Sequence, residues 1–218
     1  HRLQLDAAND NPHVLPSLIY VDRDQNARVG TNAATEYLAR ETGRTVRWER
    51  RRGGAVDVFA SDMHYVQDVH VMMDMNANGR LLQYVKTALR DPSYDGTQIF
   101  DRYYTLDELI AIILRHLKTQ AEQEFQAATE QVVLGRPVKF SDDAAITARA
   151  EEILFQAARR AGFEDIRFEV EPVGAAYDYH RRAPGRQTIG LRRKMNDFAE
   201  RTDILGVRGP ELARVFVV

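Results

Sequence analysis

The sequence predicts an α/β fold, and three observations carry that prediction. Between residues 105 and 179 the segments alternate as helix, strand, helix, strand, helix, the order that builds a parallel sheet with right-handed crossovers. The helical segments repeat apolar residues at three-and-four spacing, whereas the strand-like ones carry short aliphatic runs. Finally, 218 residues with 44% apolar and 28% charged side chains have the balance of a globular protein able to bury a core in one or two domains.

The elements follow in order. VLPSLIYVD (14–22) is rich in β-branched and aliphatic residues and predicts a strand, with Pro16 near its start, where a missing N–H is tolerated. QNARVG turns the chain, and TNAATEYLAR (31–40) predicts a short helix capped by Thr31 or Asn32. Residues 41–78 leave two alternatives open: TVRWERRR alternates weakly, Gly53-Gly54 interrupts it, and VDVFASDMHYVQDVHVMMDM suits strand or helix. GRLLQYVKTALRD (79–91) predicts a helix that Pro92 ends. The clearest helix is YTLDELIAIILRHLKTQAEQEF. Thr105 and Glu108 stand in capping-box spacing, and Leu106, Leu109, Ile110, Ile113 and Leu117 form one buried face.

EQVVLGRPVKF then predicts a strand that leaves through Gly135-Arg136-Pro137. A helix begun by Ser141 or Asp142 runs to Gly162, which stands just past its C-terminus. IRFEV predicts a strand with Ile166, Phe168 and Val170 on one face and Arg167 and Glu169 on the other; Pro172 opens a further helix. Beyond Tyr179 no helix or strand pattern stands out before the last few residues.

Composition excludes several kinds of chemistry. With no cysteine there are no disulfides, thiol nucleophiles or thiolate metal sites. No apolar run approaches the roughly 20 residues of a membrane span, and HRLQLDAANDNP has no signal-peptide pattern, so a cytoplasmic setting without a membrane partner is expected. The net charge of −2 is uneven: residues 181–218 hold nine Lys/Arg against four Asp/Glu. Those arginines lack the aromatic interleaving of single-strand binders, so no nucleic-acid partner is expected. There is no GxxxxGK[ST], GxGxxG, HExxH or GxSxG. His64, Asp68, His70 and Asp74 could be assembled into a metal site, but their spacing matches no ligand pattern and surface placement explains them as well. His116 reads as a boundary residue of its amphipathic helix.

Four stretches together resemble the DnaK-type heat-shock chaperones, the heat shock protein 70 family. VLPSLIYVD with ARVGTNAATEYL is similar to the family's PS strand leading into a VG–AA helix, and YTLDELIAIILRHLKTQAE to its T-x-E-E-I/L helix. EQVVLGRPVKFSD resembles A-V-I-T-V-P-A-Y-F-N-D, and AARRAGFEDIRFEVEPVGAAYDY resembles A-G-x-x-x-x-R-I-x-N-E-P-T-A-A-A-L-A-Y-G. GRP in place of TVP and EPVGAA in place of EPTAAA point to the divergent YegD-like branch. The resemblance covers roughly residues 14–40 and 81–180.

The resemblance implies part of the first lobe of an actin-like (ribonuclease-H-like) ATPase domain over residues 1–180, followed by an atypical basic tail, frame-shifted or disordered, over 181–218. It implies ATP/ADP with Mg²⁺ as cofactor and unfolded client proteins as partners. Glu171 takes the position of the family's E-P glutamate, which orders water and Mg²⁺ at the floor of the nucleotide cleft. Its own chemistry also suits a helix cap ahead of Pro172. Lys86, in YVKTALRD, aligns with the lysine of IKRLIGR that reaches the γ-phosphate, while Arg90 replaces the family glycine that follows. Pro137 matches the proline that couples nucleotide state to the neighbouring domain. Its partner arginine has no clear counterpart across an insertion between Pro137 and Gly162, with Arg149 the nearest candidate.

The family also grips phosphates with two Gly-rich hairpins, G-x-D-x-G-T and D-x-G-G-G-T, and these 218 residues contain neither. Two explanations stand. The chain is a piece of a longer ATPase, as a first residue of His1 suggests, with residues 181–218 from a shifted frame or spliced segment; or it is a degenerate module that lost nucleotide binding. A third reading, from another class, is a docking module built on the six arginines from Arg40 to Arg52 around Trp48. A charge-protected edge strand accounts for the same residues.

Overall fold

Ile19, Tyr20 and Val21 are fully buried at the centre of β1 (Leu18–Asp22), the strand that the aliphatic run predicts. The structure is a computed structural model that describes residues 3–60, 63–170 and 215–217. β2 (Ala27–Val29) returns antiparallel beside β1 through a turn in which Asp22 Oδ1 accepts from the Asn26 backbone N–H at 2.8 Å. α1 (Gly30–Glu41) follows at once. Its cap is neither Thr31 nor Asn32. The chain enters the helix directly from extended Val29, so a distant side chain supplies the missing acceptor. Asp6, 5% exposed, accepts from the Thr31 N–H at 2.7 Å with one oxygen and from the Ala8 N–H at 3.1 Å with the other. Gly30, at φ +64°, lies so close to Asp6 and Leu15 that no side chain fits there.

Residues that suit strand or helix in sequence form a long antiparallel ribbon, β3 (Trp48–Ala60) with β4 (Met63–Asp74). Its register runs from Trp48↔Asp74 to Ala60↔Met63, with a bulge between Arg52 and Gly54. Among the described residues no third strand joins it. Apolar side chains such as Val66, Val69, Met72 and Met73 stay exposed. A ribbon with no covered face has no reason to alternate, which is why its sequence is ambiguous. At its base Arg44 pairs with Asp74 and, at 2.6 Å, with Glu41.

The helix expected over 79–91 divides in two. β5 (Gly79–Gln83) pairs antiparallel with β1, completing the order β2-β1-β5, and Val85–Arg90 forms a 3-10 helix. Tyr84, at φ +57°, separates them. Leu81 and Leu82 fit either period, and the open edge of β1 decides the outcome. A hairpin of β6 (Gly96–Ile99) and β7 (Arg102–Thr105) leads into α2 (Leu106–Phe125), where Thr105 and Glu108 form the capping box. Leu106, Leu109, Ile110 and Leu117 are buried as expected; Leu114 joins them, while Ile113 is half-buried.

β8 (Gln131–Arg136), α3 (Ala144–Arg160) and β9 (Asp165–Val170) form a β-α-β unit with parallel strands. The cap of α3 is Asp143, whose carboxylate accepts from the Ala145 N–H at 2.8 Å, rather than Ser141 or Asp142. Gly162, at φ +93°, takes the left-handed position past the helix end. β10 (Val215–Val217) adds to the other edge of β8, again parallel, giving the order β10-β8-β9. One apolar cluster runs from Ile19 and Val21 of the first sheet through the β6–β7 hairpin and α2 to β8 and α3, and the β3–β4 ribbon contributes nothing to it among the described residues. The mixture of helices and strands is an α/β architecture. The helix expected from Pro172 and most of the 181–218 tail lie outside the described residues.

Candidate functional site

In open α/β sheets, ligands bind beyond the carboxyl ends of the parallel strands. Here β8 and β9 end level, with Gly135↔Glu169 and Arg136↔Val170 as their last pairs. Pro137 is the next residue after β8, and Glu171 the next after β9. Pro137 is half-buried, and Arg136 fixes the turn around it. One Arg136 nitrogen donates to the carbonyls of Pro137 and Val138, both at 3.0 Å; another stands 3.2 Å from Glu151 on α3. Glu171 itself lies outside the described residues.

Glu169 departs from its expected place. Sequence alternation puts it outward with Arg167, yet Arg167 is exposed while Glu169 is only 7% exposed. Its Oε1 accepts from the Val170 N–H at 2.9 Å. The carboxyl edge therefore carries a buried carboxylate that sequence reasoning missed. Only its position two residues before Glu171 could have drawn attention to it.

Lys86 is exposed on the Val85–Arg90 turn, whose Val85 and Leu89 are buried against α2 and α3. The turn is braced by Thr87, whose N–H and hydroxyl both donate to the Tyr84 carbonyl, at 2.9 and 2.7 Å. Arg90 needs no left-handed backbone; the left-handed position of this turn is Tyr84, just before it. Past it, Asp91 accepts from the Ser93 hydroxyl at 2.6 Å and the Ser93 N–H at 2.9 Å, which hold its carboxyl below the usual range.

Arg149 links these parts. Its guanidinium donates to the carbonyls of Tyr94 at 2.8 Å and Asp91 at 3.3 Å, tying the segment after the Lys86 turn to α3. Two residues along α3, Glu151 meets Arg136. The first half of α3 thus touches both the segment that follows Lys86 and the residue that precedes Pro137. Arg149 serves that tether, its guanidinium turned to the Asp91 and Tyr94 carbonyls.

The other candidates stand apart. His64 pairs with Asp57 at 2.9 Å, Asp68 with Arg52 at 2.6 Å, and Asp74 with Arg44. Spread along β4, they are not gathered, and among the described residues no three His, Asp or Glu side chains stand together as a metal site. The ring of His116 donates to the Leu5 carbonyl at 2.9 Å, pinning the N-terminal segment to α2. Trp48 is 59% exposed at the root of the ribbon. No helix among the described residues is long and apolar enough to cross a membrane.

No family model matches the chain. It is 28% identical over 170 residues to a chaperone protein HscA homolog of Rickettsia rickettsii, an alignment covering 78% of this chain and 23% of that protein. A chaperone protein HscA homolog of Rickettsia typhi is 38% identical over 84 residues, 38% of this chain and 13% of that protein. For the homolog of Rickettsia felis the values are 38% over 74 residues, 34% and 11%. The match to the first of these relatives thus spans under a quarter of its length. These low-identity similarities support a relationship to the heat shock protein 70 family.

Proposed function

We propose that this chain is part of an ATP-dependent chaperone, folded as a portion of the first lobe of an actin-like nucleotide-binding domain. The observation that carries the reading is the level carboxyl edge of β8 and β9, from which Pro137 and Glu171 continue, in a chain whose relatives are named chaperones. Glu171 would hold Mg²⁺ through water, and Lys86 would reach the terminal phosphate. An exit-strand carboxylate suits such an ion, because Mg²⁺ keeps most of its waters and takes few protein carboxylates beside phosphate oxygens, and a lysine on a well-anchored turn suits the phosphate. When bound, Mg-ATP would supply the phosphoryl group; Lys86 would offset developing charge and Glu171 would orient water. Pro137, fixed by Arg136, would relay nucleotide state through α3. Unfolded client proteins are the partners of the whole chaperone.

The test uses two proteins. The 218-residue chain contains neither Gly-rich phosphate hairpin and is expected to show no Mg-ATP turnover. A form extended by its flanking coding sequence is expected to turn over ATP, and to lose about 100-fold on Lys86→Ala or Glu171→Gln. Turnover of the longer form that survives both substitutions would sink the reading.

A second reading, a docking module, draws on the β3–β4 ribbon, whose Trp48 stays exposed beside Arg47, Arg50, Arg51 and Arg52. On that reading a partner binds the ribbon and is released by Trp48→Ala; a complex that ignores the substitution removes it.

A further inference from the structure

A groove of about 680 Å³ lies between the β1–β2 hairpin, β7 and the first turns of α2, away from the carboxyl edge of the parallel sheet. Four arginines from four elements rim it: Arg28 on β2, Arg102 on β7, Arg115 on α2 and Arg160 at the end of α3. Between the arginines its lining includes the apolar Ala27, Ala111 and Ile112.

The charges do not cancel. Arg102 lies over the Tyr104 ring, 4.3 Å from its centroid, and meets Glu108 at 3.3 Å. Arg160 pairs with Asp107 and stands 3.8 Å from Glu108. Glu108 is further committed as the α2 capping residue, accepting from the Thr105 N–H at 3.1 Å. Among the described residues, Arg28 donates to the Ala27 carbonyl at 3.3 Å and Arg115 to the Arg160 carbonyl at 2.9 Å. Among the described residues, neither has a carboxylate partner. Two exposed guanidiniums with donors to spare thus flank the apolar part of the lining in a protein of net charge −2.

We propose that this groove binds an acidic peptide segment of a protein partner, its carboxylates seated on Arg28 and Arg115 and its aliphatic side chains on the apolar part of the lining between them. Phosphate fits less well. Phosphate sites gather charge at one point, commonly on backbone N–H groups of Gly-rich turns, and no glycine lines this groove. Asp107 and Glu108 at the α2 start repel a compact polyanion more than single carboxylates spaced along a chain. Arginine forks match such carboxylates two bonds at a time. The surface owes nothing to the nucleotide reading and stands or falls separately from it.

The experiment is fluorescence anisotropy of a short labelled peptide alternating glutamate and leucine, titrated with the full chain at low and at physiological salt. The peptide is expected to bind saturably, more weakly as salt rises, and a glutamine–leucine peptide is expected not to bind. The double variant Arg28→Glu, Arg115→Glu should weaken binding by about tenfold or more, with Arg28→Gln, Arg115→Gln intermediate and Arg90→Glu, outside the groove, unchanged. Circular dichroism melts verify that each variant is folded. Absence of binding at low salt, or binding indifferent to the double reversal, overturns the proposal. So does tripolyphosphate binding that is lost in the double variant while the peptide never binds, which would reassign the groove to phosphate.

Discussion

The buried phenol of Tyr20 donates to Glu41 Oε1 at 3.1 Å, and the same oxygen accepts from the N–H groups of Asn78 and Gly79 at 2.9 and 2.7 Å. Gly79 is required there, since any Cβ would strike the Tyr20 ring. Burial, then the hydrogen bond to Glu41 and its negative charge, push the Tyr20 ionisation up to about 12 from 10.0. The folded state therefore keeps a proton that the unfolded chain gives up between those values. Stability from this group is complete below pH 10 and falls as pH rises toward 12. Urea unfolding at pH 9 and pH 11 is expected to show that loss, and Tyr20→Phe to reduce it while costing about 1 kcal/mol at pH 9. An unchanged pH slope in the variant would refute the assignment. At this scale local chemistry is readable and remote chemistry is not. Thr105 and Glu108 stand three apart and announce their cap, whereas Asp6 caps a helix 25 residues away and carries no sequence sign of doing so.

Elements were readable where their own period decides them. α2 has a capping box and a continuous apolar face, so it forms as its sequence implies. Gly79–Arg90 has no such commitment: its paired leucines suit strand or helix, and pairing with β1 makes the first half a strand. The ribbon was unreadable because, among the described residues, apolar side chains such as Val66, Val69, Met72 and Met73 stay exposed and leave no buried face to set a period. The candidate site divides along the same line. Pro137 was visible as the exit of a predicted strand, but the burial of Glu169 depends on what packs at the carboxyl edge, which alternation cannot report. The tether from α3 to the segment after Lys86 belongs to this scale as well. Arg149→Ala is expected to cost about 1 kcal/mol and to raise amide hydrogen exchange across residues 91–94, leaving the β8–β9 ladder protected. Uniform exchange changes would contradict a local tether.

Across the whole molecule, the alternating order of residues 105–170 was enough to foresee the β-α-β unit, because each of its parts is locally encoded. The first sheet was harder, since β5 returns to β1 across the intervening ribbon. Strand β8 lies between a neighbour that follows it after one helix and another, β10, in which Val215 pairs with Val132. The two edges of β8 therefore fill at different times as the chain is made. β9 is available as soon as α3 has emerged, but the opposite edge waits until the far segment has been synthesised. Pairing strands so far apart in sequence is slow, and a bare parallel edge is open meanwhile to strands of other chains. During synthesis the molecule passes through an interval in which its own central strand is a target for misassembly.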